Sequence, residues 1–213
     1  DMVDETLLKR RGQIYLCTWH GGGAYKKVGF DVKEAKRSRQ VERTLKKWYG
    51  KLDYLILSNG YLQKEYESSF RMEKNQMLKT GMPRSDVFFQ NHNLYLKIRS
   101  LYHLSEDTKI LLYAPTFRYG KYDLLSDEEL ERVLDSLEKR FGGEWVCFYR
   151  THYMDQVHSC IEYKEKILNG NSYADAQEFL CAVDVLITDY SSLLWDFTLL
   201  KRPCFCYAKD LND

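Results

Sequence analysis

No hydrophobic run in this sequence reaches the roughly 20 residues that a membrane-spanning helix needs, and no secretory leader opens it. An excess of one charge is also missing. There are 32 Lys and Arg against 31 Asp and Glu, a formal net charge of +1, so nothing global argues for nucleic acid as a partner. The six cysteines have neither the paired spacing of a zinc site nor the density of a disulfide framework. Cys17, Cys147, Cys204 and Cys206 fall in apolar runs that read as buried strands, where a thiol behaves as a small hydrophobe. Reduced thiols in a cytosolic protein are the expectation. Internal repeats and low-complexity tracts are absent. The second half also has no Asp-x-Asp pair of the kind that holds a nucleotide diphosphate through a cation, so neither a metal nor a cofactor is expected.

What remains is an ordinary globular composition, 44% hydrophobic and 30% charged over 213 residues, enough for one large core or two small ones. Charge is locally uneven. Lys33 to Lys51 holds eight basic residues against Glu34 and Glu42, with Lys26 and Lys27 just ahead. Such a stretch suits anionic headgroups or a polyanionic substrate, or is simply a solvated helix face. The chain opens on Asp1 rather than Met and stops soon after an apolar run, so it reads as a fragment of a longer protein.

Periodicity divides the chain into alternating strands and helices. Gln13–Thr18, Tyr54–Leu57 and Gln76–Lys79 read as short strands, separated by helices over Ser38–Tyr49 and Tyr61–Phe70. A polar helix over roughly Asn91–Tyr102 reads as a connector. A second series follows: strands at Lys109–Ala114, Trp145–Arg150, Val185–Thr188 and Cys204–Tyr207, with helices at Asp127–Phe141, Asp175–Ala182 and Ser192–Leu200. Ser126 and Glu129 form a capping-box pattern ahead of the first of these helices. Strand–helix alternation predicts parallel sheets wrapped by helices, in two domains divided at 1–90 and 91–213.

In open parallel sheets, ligands sit beyond the carboxyl ends of the strands. Four polar clusters fall there: Trp19-His20-Gly21, Thr116-Phe117-Arg118, Arg150-Thr151-His152 and Asp189-Tyr190-Ser191-Ser192. The last runs from a strand into a helix and offers main-chain N–H groups, hydroxyls and a helix end, an anion seat that could equally be a plain N-cap. Arg118 and Arg150 have the forked donors that pair with phosphate, or form surface salt bridges. His20 stands between a strand and three glycines, where the backbone can come close to a ligand and an imidazole can take a proton from a hydroxyl. Lys26 and Lys27 extend that loop towards an acceptor's charge or are merely solvated. His92, His103 and His158 look incidental.

Together these segments resemble the CDP-glycerol glycerophosphotransferases of teichoic-acid synthesis. The resemblance rests on Trp19-His20-Gly21 with Lys26-Lys27-Val28-Gly29, on Thr80-Gly81-Met82-Pro83-Arg84-Ser85-Asp86, and on Leu112-Tyr113-Ala114-Pro115-Thr116-Phe117-Arg118. It continues through Arg150-Thr151-His152 and Leu186-Ile187-Thr188-Asp189-Tyr190-Ser191-Ser192 to Trp195-Asp196-Phe197, Lys201-Arg202-Pro203 and Phe205-Cys206-Tyr207. It implies a GT-B fold of two Rossmann-like domains facing across a cleft, the first on the acceptor side and the second binding nucleotide. It implies transfer of glycerol phosphate from CDP-glycerol to a hydroxyl of a prenyl-diphosphate-linked glycan acceptor, with CMP released, at the cytoplasmic face of the cell membrane. By the same resemblance His20 is the base towards the acceptor. His152 supports the donor diphosphate with Arg150, Arg118, Thr116, Asp189, Ser191 and Ser192, while Gly21, Lys26, Lys27, Arg84 and Asp86 lie on the acceptor side. Many relatives carry Thr-Pro after Trp-His-Gly, where this chain has Gly22-Gly23-Ala24, a less constrained loop. Three alternatives stay open: a CDP-ribitol donor, a sugar-nucleotide donor for wall or capsule polymers, and a non-catalytic nucleotide-binding module.

Overall fold

The computed structural model describes residues 8–90, 93–116, 124–151 and 164–208. The chain divides into two compact units, 1–86 and 87–213.

The first unit is built on three parallel strands, β1 (Leu16–Cys17), β2 (Tyr54–Ile56) and β3 (Met77–Leu78), in the order β1-β2-β3. Helices α1 (Lys33–Arg37) and α2 (Arg39–Tyr49) lie between the first two strands, and α3 (Gln63–Phe70) between the second and third. Ser38 starts α2 by accepting the Val41 N–H. Val41 and Leu45 then pack with Phe30 and Ala35. A second cluster joins Leu55, Leu57, Tyr66, Phe70 and Met77. The sequence suggests a buried first strand, but β1 is at the sheet edge and Leu16 is exposed.

The second unit contains α4 (Val87–Gln90), α5 (Leu94–Leu101), β4 (Lys109–Ala114), α6 (Asp127–Phe141), β5 (Trp145–Tyr149), β6 (Ile167–Asn169), α7 (Ala176–Leu180), β7 (Val185–Thr188), α8 (Leu193–Thr198) and β8 (Cys204–Cys206). Its five strands are all parallel, in the order β6-β5-β4-β7-β8. Strand periodicity makes two cores from one sheet. Ile110, Leu112, Val146 and Phe148 point to one face and meet Ile98 of α5, Phe179 of α7 and Phe197 of α8. Leu111, Tyr113, Trp145 and Cys147 point to the other and meet Leu130 and Leu134 of α6. Each such side chain, fully buried, contributes about 1.5–3 kcal/mol. The predicted capping box forms: Ser126 accepts the Glu129 N–H, and Glu129 accepts the Ser126 N–H.

Three details depart from the sequence reading. The unit boundary falls at 86/87 rather than 90/91, because α4 packs on α7 and Phe88 joins the second unit's core. Strand β6, only three residues long, is too short for alternation to reveal. Cys206 is exposed, since β8 is an edge strand open on one side.

Candidate functional site

In the first unit the site begins where β1 ends. Trp19 has φ +55°, a left-handed conformation that a bulky residue rarely adopts. Its ring lies edge-on to Phe70, with centroids 4.9 Å apart, and 4.2 Å from the His20 ring. The strained turn is thus fixed by aromatic packing, and it presents His20 beyond the strand end. The His20 carbonyl accepts from Arg84 Nη1 at 2.6 Å. Gly21 and Gly22 are buried. Their carbonyls accept from the Tyr66 hydroxyl at 3.2 Å and the Ser58 hydroxyl at 2.5 Å. Although the residue is open to solvent, packing around the His20 imidazole disfavours its charged form. With the nearby Arg84 charge, this holds its pKa below the ordinary histidine value.

Arg84 and Asp86 share one 3-10 turn, Pro83–Asp86. Gly81, at φ +78°, makes the bend before it and donates its N–H to the Leu57 carbonyl at the end of β2. Met82 is buried beneath. The structure therefore brings Arg84 to the His20 loop, leaves Asp86 exposed on the same turn, and places Lys26 and Lys27 exposed on the segment that continues the loop.

In the second unit the ends of three adjacent strands gather the other residues. Asp189, buried after β7, takes the Thr116 N–H on both carboxylate oxygens at 3.0 and 3.1 Å. One step back along the same two strands, the Thr188 hydroxyl donates to the Ala114 carbonyl at 2.6 Å. Thr116 and Asp189 thus strap β4 to β7. Ser191 accepts the Leu193 N–H on its hydroxyl and the Leu194 N–H on its carbonyl, which shapes the entry to the six-residue helix α8. Ser192 sits at the cap position, half-buried.

Arg150 closes β5. Its guanidinium donates to the carbonyls of Gly170 and Tyr173 at 2.7 Å each and to Ala174 at 3.3 Å. Burial lowers its pKa, and those oxygens compensate the desolvated charge. The group expected to face a phosphate therefore holds the loop between β6 and α7. Gly170 allows the close approach, since a Cβ there would lie 3.0 Å from Arg150 Cβ and 3.1 Å from the Tyr149 carbonyl. Thr151, buried, accepts from Asn171 Nδ2 at 2.7 Å. His152 and Arg118 lie outside the described residues, as do His92 and His158. The sequence does not mark Tyr66, Ser58, Gly170 and Asn171, because each meets a residue distant along the chain. Among the described residues no group of three or more His, Cys, Asp and Glu side chains converges, and no helix is long and apolar enough to cross a membrane.

Parallel sheets wrapped by helices define an α/β protein, a class whose ligands sit beyond the carboxyl ends of the strands. Known proteins narrow the class. The sequence profile of the CDP-glycerol:poly(glycerophosphate) glycerophosphotransferases matches residues 1–213. A teichoic acid poly(glycerol phosphate) polymerase of Staphylococcus epidermidis is 34% identical, over 97% of this chain and 30% of its own length. A teichoic acid glycerol-phosphate primase of Bacillus subtilis is 30% identical, over 99% of this chain and 54% of its own. The solved structure of a variant of the wall teichoic acid polymerase TagF, soaked with CDPG, superposes with a TM-score of 0.80 at 30% identity, covering 100% of this chain and 52% of that one. The chain belongs to the CDP-glycerol:poly(glycerophosphate) glycerophosphotransferase family. It spans about half or less of the length of these relatives.

Proposed function

We propose that the protein containing this chain transfers glycerol phosphate from CDP-glycerol to a hydroxyl of a membrane-linked, prenyl-diphosphate-bound glycan, as in teichoic-acid synthesis, releasing CMP. The observation that carries the reading is the His20 loop: an imidazole with a lowered pKa, presented beyond a strand end on a main chain fixed by Arg84, Tyr66 and Ser58. An imidazole neutral at physiological pH can take the acceptor's hydroxyl proton. The acceptor oxygen then attacks the phosphorus that bears the glycerol, the bond from that phosphorus to the CMP oxygen breaks, and CMP leaves with the electron pair. Family membership and the CDPG soaked into the TagF variant support the donor.

In this proposal the two units form a GT-B arrangement, with His20, Gly21, Lys26, Lys27, Arg84 and Asp86 serving the acceptor. Thr116, Asp189, Ser191 and Ser192 shape the donor side with His152 and Arg118. Arg150 contributes by holding the loop from Gly170 to Ala174. The protein works at the cytoplasmic face of the membrane, where its acceptor is anchored. Calorimetry with CDP-glycerol, CDP-ribitol and a uridine sugar nucleotide, paired with an assay of CMP release on a prenyl-linked disaccharide, tests the reading. Tightest binding of CDP-glycerol with CMP released is the expected result. Binding of CDP-glycerol without CMP release would leave only a nucleotide-binding module.

A further inference from the structure

Three consecutive carbonyls, those of His20, Gly21 and Gly22, each accept a side-chain hydrogen bond, and the three donors come from three different segments. Arg84 comes from the turn after β3, Tyr66 from the middle of α3, and Ser58 from the end of β2. A glycine-rich loop has many conformations to lose, and nothing in His20-Gly21-Gly22-Gly23 itself selects one. The donors do. Tyr66 is the most deeply placed, 3% exposed, in edge-on contact with Phe70 at 5.3 Å. Phe70 in turn packs on Trp19, whose ring lies against His20. The same aromatic cluster therefore fixes the imidazole from the ring side and, through Tyr66, the backbone that follows it.

We infer that Tyr66, with Ser58 and Arg84, is a positioning residue for His20, fixing the loop main chain so that the imidazole is held at the reacting hydroxyl. This rests on His20 being the base proposed above. Burial pushes the Tyr66 phenol up to about 12, so its hydroxyl stays a donor across the working pH range. Tyr66 touches neither reactant; it acts only through where His20 stands.

The test is a double-mutant cycle in the intact protein with Tyr66→Phe, which keeps the ring and its packing and removes one hydroxyl. Misplacement of a catalytic group by a fraction of an ångström to an ångström costs up to about 100-fold. The expected result is a kcat reduced about tenfold, a donor KM within about twofold of wild type, and no additional loss when Tyr66→Phe is placed on His20→Ala. Ser58→Ala should behave alike with a smaller effect. Imidazole resonances of His20 in Tyr66→Phe should move from their wild-type positions, a readout that needs no turnover. An unchanged kcat with unmoved resonances would overturn the inference, as would the same fold loss with and without His20. Full activity in His20→Ala would instead overturn the base assignment, and that outcome is read separately in the same cycle.

Discussion

The imidazole of His20 meets several influences of the same sign, desolvation the largest. Desolvation and the Arg84 charge both disfavour imidazolium. A base whose pKa lies below the ordinary value of about 6.5 is already neutral at pH 7, so the acid limb of kcat/KM should fall below that value. Removing the positive neighbour should raise the pKa and move the limb to higher pH. Arg84→Met is expected to do this, whereas Arg84→Lys, which keeps the charge, should leave the limb nearer its place. Profiles of kcat/KM against pH, checked by NMR titration of the His20 ring, decide it. Arg99, 1% exposed, donates to the Thr108 and Ala182 carbonyls and to Asp184 at 3.0 Å. Asp184→Ala leaves a buried guanidinium without its counter-charge, and should cost about 3–5 kcal/mol in urea unfolding. Arg99 and Asp184 form no part of the site. The burial of Arg99 and the bonds between the two mark them as structural, and sequence alone does not separate such an arginine from Arg150.

Among the elements, turns carry most of the precision at the strand ends. Gly29, at φ +53°, would place a Cβ 2.1 Å from the Ser69 carbonyl. Gly29→Ala therefore meets both a backbone penalty and a clash with α3, the helix that also carries Tyr66. A loss of roughly 2 kcal/mol or more is expected, visible as a lowered Tm. Gly170→Ala should be milder, about 1 kcal/mol, because its neighbours at 3.0–3.2 Å need shift only slightly; its effect should fall on the Arg150 loop. The regular elements were largely legible in the sequence. Lys109–Ala114, Asp127–Phe141 and Val185–Thr188 read with the bounds they have in the structure, since apolar runs and a capping box are local signals. Helix Ser192–Leu200 shrank to Leu193–Thr198, and β6 went unseen, because ends and three-residue edge strands depend on tertiary partners. Among the described residues, the strand-end positions of His20, Thr116, Arg150 and Asp189 could be read from spacing. The donors to the His20–Gly22 carbonyls could not, because Ser58, Tyr66 and Arg84 are joined to that loop only by folding. Nor did spacing reveal that the Arg150 fork is turned onto main-chain carbonyls.

At the scale of the molecule, two units of parallel sheet each carry polar residues beyond their strand ends. The first unit holds the proposed base, and the second holds the hydroxyl-lined strand ends of Thr116, Ser191 and Ser192. Losses in the two units should therefore be separable. Ser191→Ala with Ser192→Ala should raise the donor KM more than it lowers kcat, whereas changes in the His20 loop should lower kcat with the donor KM little altered. Steady-state kinetics over a range of CDP-glycerol concentrations distinguishes the two patterns. The central claim is that His20 takes the acceptor's proton, and CMP release in a single turnover measures it most directly. With enzyme in excess over CDP-glycerol and a prenyl-linked acceptor present, wild type should release CMP. His20→Ala should bind the donor equally well and release CMP at least about 100-fold more slowly. Release by His20→Ala at the wild-type rate would contradict the account.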